Sequence, residues 1–392
     1  MSHKVVAVRV RDRDALADVS RARRVVVKIG SSSLTDDEGH LDVARLTALA
    51  NSLAARRAAG GEVVLVSSGA IAAALPVLGL AQRPQDLATQ QAAASVGQGL
   101  LVAHYTRAFA AHGLRVGQVL LTAEDVIRRG HYRNAQRALN RLLELGVVPI
   151  VNENDAVATH EIKFGDNDRL AALTSHLTHA DAMVLLTDVD ALYTAPPTHA
   201  DARRIAVVND VSELTDLRIT AHGSHVGTGG MVTKVDAASS AAGAGVPVVL
   251  TRADTLDAAL AGADVGTWFA PAAHRVQTRR LWLAHAADTR GRVIVDDGAV
   301  RAITDGKKSL LAAGVTAVEG QFDAGDPVEI AGPDSVVLAR GLSNYGSREL
   351  APRLGLSSAQ IREQFGQRRD REVVHRDDLV LIRRRGRADS AN

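Results

Sequence analysis

The chain has 392 residues, of which 46% are hydrophobic and 23% are charged. This is the composition of a globular protein, and the length is sufficient for two domains with full cores. Forty-six basic and 44 acidic residues leave a net charge of +2, which excludes the strong positive field of many nucleic-acid-binding proteins. The absence of cysteine excludes disulfides, thiolate nucleophiles and cysteine-ligated metal centres.

The first residues carry several charges and show no apolar core of a signal peptide. No stretch of about 18 apolar residues without charge occurs, so a transmembrane span is not expected. We therefore expect a cytoplasmic protein.

The first two-thirds of the chain alternate short apolar runs with amphipathic segments, which is typical of parallel strands joined by crossover helices. Strands are predicted at residues 25–30, 62–66, 116–121, 147–151, 182–186 and 247–250. Helices are predicted at residues 42–60, 134–144 and 168–177. The runs are apolar on both faces, so the pattern predicts a mainly parallel open sheet of the α/β class with helices on both faces.

After about residue 280 the pattern changes to short strands between Gly, Asp and Pro turns, at residues 291–295, 324–330 and 336–340. This predicts a second, smaller β-rich domain. The expected layout is an N-terminal extension (1–21), an α/β domain (22–275), a linker (276–288), a β-rich domain (289–382) and a basic tail (383–392).

Polar residues follow five of the predicted strands, where open α/β sheets bind their ligands. One such strand end is explained by an ordinary turn, but five on one sheet indicate a shared crevice. The five segments are residues 28–33, 67–70, 152–155, 187–188 and 251–252.

Two of the chain's few lysines lie within a few residues of glycine. Lys28 precedes Gly30 and three serines, which together offer a cation and backbone N–H groups to phosphate. Lys234 follows a glycine-rich segment and lies in the first turns of a predicted alanine-rich helix. A cation is unfavourable at such a position unless an anion is bound beside it, so the position of Lys234 suggests a bound phosphate. A strand-end lysine that reaches solvent and a flexible surface loop are the structural alternatives. The spacing of a Walker A loop is absent.

A third polar cluster precedes the helix predicted at residues 168–177. Asp166 or Asn167 would serve as its N-cap, while further aspartates could hold the two lysines or help to position Mg²⁺ carried by a nucleotide. Gly97-Gln98-Gly99 is interpreted as helix packing and His375-Arg376-Asp377 as the start of a strand. The scattered histidines suggest no structural metal site.

Six motifs together closely resemble the glutamate 5-kinases of the amino acid kinase superfamily, with matching order over about residues 22–270. They are Val27-Lys28-Ile29-Gly30-Ser31, Val66-Ser67-Ser68-Gly69-Ala70-Ile71, Val151-Asn152-Glu153-Asn154-Asp155, Phe164-Gly165-Asp166-Asn167-Asp168, Leu185-Leu186-Thr187-Asp188 and Gly227-Thr228-Gly229-Gly230-Met231. Residues from about 289 to 382 resemble a PUA domain. One departure is Ala74, where the family usually has glycine, which puts the local loop shape in question.

The resemblance implies ATP-dependent phosphorylation of the γ-carboxylate of L-glutamate, the first step of proline synthesis, with Mg²⁺ accompanying ATP. It implies that Ser68, Asp155 and Asn167 hold glutamate, with Asn152, Lys163 and Asp166 as second choices near the same substrate. Lys28, Lys234 and Asp168 would be catalytic, with Asp168 orienting the lysines. The implied ATP-binding residues are Lys28, Thr187, Asp188, Thr228, Gly229, Gly230, Met231, Val232, Thr233 and Lys234.

The resemblance also implies feedback inhibition by proline and a homo-oligomer. Three alternatives remain open at this point. The chain could phosphorylate another amino acid, it could be a catalytically inactive sensor, or it could bind RNA through its PUA-like domain, Lys307, Lys308 and the arginine tail. Scarce aromatics and near-neutral charge disfavour the last of these.

Overall fold

The computed structural model describes residues 19–123, 125, 129–157, 167–195, 199, 201–209, 214, 230–272, 289–305, 308–366 and 371–382. The chain divides into two compact units, Met1–Arg275 and Val276–Asn392. Among the described residues, no helix combines the length and apolar character that a membrane span requires.

The first unit is built on one large sheet. The strands of this unit are β1 (Arg24–Ile29), β2 (Glu62–Ser67), β3 (Arg115–Leu121), β4 (Val147–Glu153), β5 (Ala182–Thr187), β6 (Leu192–Tyr193), β7 (Arg204–Ile205), β8 (Val207–Val208), β9 (Val248–Arg252) and β10 (Thr267–Phe269), of which β6 and β7 form a separate two-stranded sheet. Its helices are α1 (Ser31–Leu34), α2 (Val43–Ala58), α3 (Ala70–Leu78), α4 (Leu87–Ala110), α5 (Arg129–Glu144), α6 (Asn167–Leu177), α7 (Met231–Gly243) and α8 (Leu256–Leu260).

Eight strands form this sheet in the order β3-β4-β2-β1-β5-β9-β10-β8. The first six are parallel to one another, whereas β10 is antiparallel to β9 and parallel to β8. The chain passes from β1 to β2 on one side of it and later returns to β5 on the other side. Such a reversal leaves a crevice at the carboxyl ends of the strands, so the fold places a ligand site next to β1.

Alternate residues of β1 face opposite sides of the sheet. Val25, Val27 and Ile29 belong to the hydrophobic core that Leu46 of α2 and Tyr105 of α4 share. Side chains alternate along a strand, so Lys28 is directed to the opposite face, where α6 packs on β1. The strand therefore contributes a buried apolar stripe on one face and a buried cation on the other.

The second unit contains a five-stranded sheet and a separate core. The sheet order is β12-β11-β13-β14-β15. The strands are β11 (Gly291–Val295), β12 (Val315–Gly320), β13 (Pro327–Ala331), β14 (Val337–Leu342) and β15 (Leu379–Leu381), and the helices are α9 (Asp297–Thr304), α10 (Ser347–Leu350) and α11 (Ser358–Phe365). Val293, Ile330 and Tyr345 are among its fully buried core residues.

The predicted fold class is confirmed, and the six predicted strands of the first unit differ from the observed ones by at most two residues at either end. Asp42 caps α2 by accepting hydrogen bonds from the backbone N–H groups of Ala44 and Arg45, so the predicted helix at 42–60 begins as expected. Ala74 is a correction, because it lies buried inside α3 and not in a loop. The segment His375-Arg376-Asp377 leads into a 3-10 turn, Arg376–Asp378, directly before β15.

Helices α3 and α4 approach each other closely at a glycine. A Cβ atom on Gly97 of α4 would lie 1.7 Å from the backbone oxygen of Ala70 and 3.1 Å from the Cβ of Ala74. A side chain at position 97 would therefore force the two helix backbones apart. The interpretation of Gly97 as a packing residue is confirmed.

We expect the Gly97→Ala substitution to destabilise the first unit by about 1–3 kcal/mol, the usual cost of overpacking. The matched control is Gly99→Ala in the same helix, because a Cβ there meets nothing within 4 Å. Its higher helix propensity should leave stability unchanged or raise it by about 0.5–1 kcal/mol. Chemical denaturation of both variants measures the difference, and equal stabilities would contradict the close approach.

Candidate active site

Polar residues line the carboxyl ends of four neighbouring strands. In spatial order, β4 ends with Asn152 and Glu153, and β2 ends with Ser67. The next strand, β1, ends at Ile29 directly after Lys28, and β5 ends at Thr187. The Ser68 backbone N–H donates to the Ile29 carbonyl (3.1 Å) and ties the ends of β2 and β1 together. The four strand ends thus form one continuous row of polar groups at the crevice.

A buried carboxylate pairs with two lysines at the centre of this row. Asp168, in the first turn of α6, contacts the Lys28 ammonium through Oδ1 and the Lys234 ammonium through Oδ2 at 2.8 Å. Asp168 is fully buried, and the lysines are only 3% and 9% exposed. Burial of an unpaired charge is very costly, so the three groups depend on each other for their position. We call these three residues the ion cluster.

Burial raises the pKa of the Asp168 carboxyl, but the neighbouring ammonium groups of Lys28 and Lys234 outweigh that effect and hold its pKa below the ordinary value. The carboxylate is therefore ionised at neutral pH. Two ammonium groups and one carboxylate leave the ion cluster with one net positive charge. Ammonium groups at the crevice can donate hydrogen bonds to an anion such as phosphate.

Lys234 lies in the first turns of α7, where the helix macrodipole disfavours a cation. The sequence suggested that a bound phosphate compensates for this. In the structure, the anion beside Lys234 is the Asp168 carboxylate, in agreement with the expectation that Asp168 orients the lysines. The pairing with Asp168 accounts for a cation at this helix start.

A second group of polar side chains lies next to the ion cluster, towards β4. The Asn167 amide nitrogen is within hydrogen-bond distance of the Ser67 carbonyl (3.1 Å), Ser68 Oγ (2.8 Å) and Asn152 Oδ1 (2.8 Å). Asn167 and Asp168 are adjacent in sequence, so one helix start supplies both groups. We call Asn167, Asn152 and Ser68 the amide cluster.

Sequence reasoning missed two residues that α4 brings to this region. Asn152 Nδ2 donates to Gln98 Oε1 (2.7 Å), and the Tyr105 hydroxyl bonds Ser67 Oγ (2.8 Å). Residues seven apart share one helix face, which is how α4 delivers both. The available signal was a glutamine beside the packing glycine Gly97, but Gln98 was interpreted as part of that packing.

Three comparisons identify the relatives of the chain. Residues 23–252 match the amino acid kinase family, and residues 291–365 match the PUA domain. The glutamate 5-kinase of Thermobifida fusca (strain YX) is 57% identical over 375 residues, which cover 95% of this chain and 97% of that protein. The glutamate 5-kinase of Salinispora arenicola (strain CNS-205) is 58% identical, covering 93% of this chain and 99% of that protein.

The chain belongs to the amino acid kinase family. Among solved structures, the carbamate kinase from Giardia lamblia bound to AMP-PNP aligns with 64% of this chain and 100% of its own, at 18% identity and a TM-score of 0.48. As a member of this family, the chain is a kinase that uses ATP.

The remaining residues predicted for this kinase lie on both sides of the ion cluster. Thr187 is buried at the end of β5, and its hydroxyl donates to exposed Asp188 (2.9 Å). Gly230 occupies the N-cap position of α7, and its carbonyl accepts from Thr233 Oγ1 (2.8 Å), while Val232 is exposed. Asp155 lies in the turn after β4.

Four of the predicted site residues, Lys163, Asp166, Thr228 and Gly229, lie outside the described residues. The same holds for Lys307 and the basic tail. Met231 is described and begins α7 next to Gly230. The structure thus brings together Lys28, Asp168 and Lys234 in one cluster and Asn152, Asn167 and Ser68 in the other.

We expect Asp168→Asn to destabilise this kinase by about 3–5 kcal/mol at pH 7, because it leaves two buried ammonium groups without their counter-ion. The control is Glu144→Gln, which breaks an exposed pair with Arg141 and should change stability by less than about 0.5 kcal/mol. Chemical denaturation at pH 7 measures both, and equal effects would contradict the account of the ion cluster.

The stabilisation from Asp168 also has a predictable pH dependence. Its pKa is lowered on folding from the ordinary 3.8, so the contribution is fully present above pH 3.8 and is lost as the pH falls through the lower pKa of the folded state. The stability difference between wild type and Asp168→Asn should therefore shrink in acid. A difference that grows below pH 3.8 would contradict this sign.

Proposed function

We propose that the ion cluster and the amide cluster together transfer the γ-phosphoryl group of ATP to the γ-carboxylate of L-glutamate, which gives L-glutamyl 5-phosphate. This reaction is the first step of proline biosynthesis. The observation that carries the proposal is the pair of buried lysines on one carboxylate, beside amide side chains suited to an amino acid. Close relationship to glutamate 5-kinases along nearly the whole chain supports the same substrate.

The reaction needs little activation of its nucleophile. A carboxylate is ionised at pH 7, so no general base has to remove a proton. One γ-carboxylate oxygen forms a bond to the γ-phosphorus while the bond from that phosphorus to the β,γ-bridging oxygen breaks, and ADP leaves. The demand on the protein is to position two anions and to neutralise their charge. Lys28 and Lys234 are suited to that task, and Asp168 fixes their positions.

The strand order suggests how the two substrates are arranged. The amide cluster lies at β4 and β2, the ion cluster at β1, and Thr187 with Asp188 at β5. We therefore assign glutamate to the β4–β2 side and the nucleotide to the β1–β5 side. The proposed glutamate residues are Ser68, Asn167, Asn152, Lys163, Asp166 and Asp155, the last of which would meet the substrate ammonium group. The proposed ATP residues are Lys28, Thr187, Asp188 and residues 228–234.

Mg²⁺ is proposed to arrive with ATP and to neutralise phosphate charge. Both oxygens of Asp168 already contact lysine ammonium groups, so this carboxylate is not available as a metal ligand. Mg²⁺ commonly keeps several waters and binds substrate phosphates with few protein ligands. The residues present fit an ion held by the nucleotide, and no ligand of this chain is assigned to it.

The experiment that tests the proposal is ADP release from Mg-ATP with L-glutamate, D-glutamate, L-aspartate and N-acetylglutamate in parallel, with hydroxylamine added to trap an acyl phosphate. We expect activity and a hydroxamate product with L-glutamate. Activity with only another acid would retain the ATP site and overturn the glutamate assignments. No activity with any of the four acids would contradict the proposal as a whole.

Replacing either lysine should slow phosphoryl transfer. We expect Lys28→Met and Lys234→Met each to lower kcat by about 100-fold or more, since a donor aimed at developing charge in a buried site typically contributes that much. Lys308→Met in the second unit is the control, because Lys308 is exposed and should leave kcat unchanged. Near-normal kcat in Lys28→Met with normal folding would contradict the assigned role.

Three further predictions accompany this function. Proline is proposed as a feedback inhibitor that overlaps the glutamate pocket, since it carries the same carboxylate next to an ammonium-type nitrogen. A homo-oligomer and a cytoplasmic location are proposed as well. Steady-state kinetics test the first of these: proline should raise the apparent KM for glutamate and leave kcat unchanged, and inhibition competitive with ATP would contradict the overlap.

A further inference from the structure

Gln98 is a polar side chain whose amide nitrogen has no partner in the described part of the chain. The residue lies in the middle of α4 and is 9% exposed. Its oxygen accepts from Asn152, but its buried Nε2 meets no acceptor among the described residues. Buried donors in folded proteins almost always have partners, so an unpaired one next to a binding site suggests a ligand.

The orientation of the Gln98 amide follows from a backbone group. The Glu153 backbone N–H donates to Asn152 Oδ1 (2.9 Å), which identifies the oxygen of the Asn152 amide. The Asn152 nitrogen must then be the group that donates to Gln98 (2.7 Å), so the Gln98 oxygen faces Asn152. The remaining atom, Nε2, is consequently a hydrogen-bond donor that points away from Asn152.

Gln98, Asn152 and Asn167 are linked by hydrogen bonds between their side-chain amides, and the orientation of the Asn167 amide also follows from a backbone group. Asn167 Nδ2 donates to the Ser67 backbone carbonyl and to Asn152 Oδ1. The Asn167 oxygen is therefore the opposite atom, and it is buried without a donor among the described residues. Within the described residues, three linked amides thus end in a donor without an acceptor, on Gln98, and an acceptor without a donor, on Asn167. A carboxylate and an ammonium group are the complements of these two ends, and an amino acid carries both.

The strand order decides which carboxylate Gln98 would meet. Gln98 is bonded to the end of β4, which is two strand spacings, about 10 Å, from β1 and Lys28. The γ-carboxylate must approach the ion cluster at β1, and an extended glutamate spans roughly 5 Å between its two carboxylate carbons. The carboxylate on the far side from the lysines is the α-carboxylate.

We propose that Gln98 Nε2 donates a hydrogen bond to the α-carboxylate of the amino acid substrate and so makes Gln98 a specificity residue. This inference rests on the proposed function of the chain. Gln98 would hold the unreactive end of glutamate, while the amide cluster orients Gln98 through Asn152. The bond favours substrates with a free α-carboxylate.

The Gln98→Glu variant tests the contact selectively. It keeps the oxygen that accepts from Asn152 and replaces the Nε2 donor by an anionic oxygen, which repels a carboxylate. We expect the KM for glutamate to rise by about 10-fold to 100-fold, the range of a hydrogen bond to a charged group, with the KM for ATP within twofold of wild type. The control for the added charge is Gln136→Glu. Gln136 is hydrogen-bonded to His179, which lies beyond the C-terminal end of α6. This variant should change neither the KM for glutamate nor the KM for ATP.

Two further measurements keep the proposal falsifiable. Gln98→Met removes the hydrogen bond with Asn152 as well as the proposed bond to the α-carboxylate. Chemical denaturation of Gln98→Glu and Gln98→Met shows whether each variant is folded. The α-amide of glutamate keeps the γ-carboxylate but lacks the anionic α-carboxylate. Wild type should therefore prefer glutamate over the α-amide, and Gln98→Glu should lose most of that preference.

Each outcome decides the question. A raised KM for glutamate together with lost discrimination against the α-amide supports the proposal. An unchanged KM for glutamate in folded Gln98→Glu overturns it, and so does an equal loss for glutamate and its α-amide. A loss of stability with unchanged KM would assign Nε2 to an acceptor within the protein and also overturns it. If wild-type protein does not phosphorylate glutamate, the proposed function fails instead, independently of Gln98.

Discussion

The site depends on one buried carboxylate that is shared by two lysines. Lys28 comes from a central strand, Asp168 from the start of α6 and Lys234 from the start of α7. Each of these charges would be costly to bury unpaired. The cluster therefore fixes the relative positions of three segments that are far apart in sequence. It also places two ammonium groups at the carboxyl edge of the sheet.

The order of the strands in the parallel sheet determines which polar groups lie on each side of the ion cluster. Because β4, β2, β1 and β5 are neighbours, their polar ends form a row, and the ion cluster occupies its middle. Amides that suit an amino acid lie on one side and the Thr187–Asp188 pair on the other. The start of α6 connects the two clusters, because Asn167 belongs to the amide cluster and the adjacent Asp168 contacts both lysines. Substitutions at the start of α6 should therefore affect the proposed sites of both substrates.

Much of the fold and part of the site could be predicted from the sequence. Apolar runs identified the long strands, because strands buried on both faces are continuous in hydrophobicity. The two- and three-residue strands, β10 among them, are too short for any such pattern. Lys28 and Asn167 could be selected because strand ends and helix starts are visible in sequence. Gln98 could not, since its role depends on how closely α4 approaches α3 at Gly97 and on which way the Asn152 amide is turned.

The measurement that tests the central claim most directly is single-turnover phosphoryl transfer by Asp168→Glu and Asp168→Asn, with the binding of ATP determined separately. Asp168 is proposed to position the lysines for the transfer step. Both variants should slow transfer by about 100-fold or more at saturating substrates, while Asp168→Asn binds ATP as tightly as wild type or more tightly, because a negative charge is lost. Transfer at the wild-type rate in a folded Asp168→Asn variant would contradict the account.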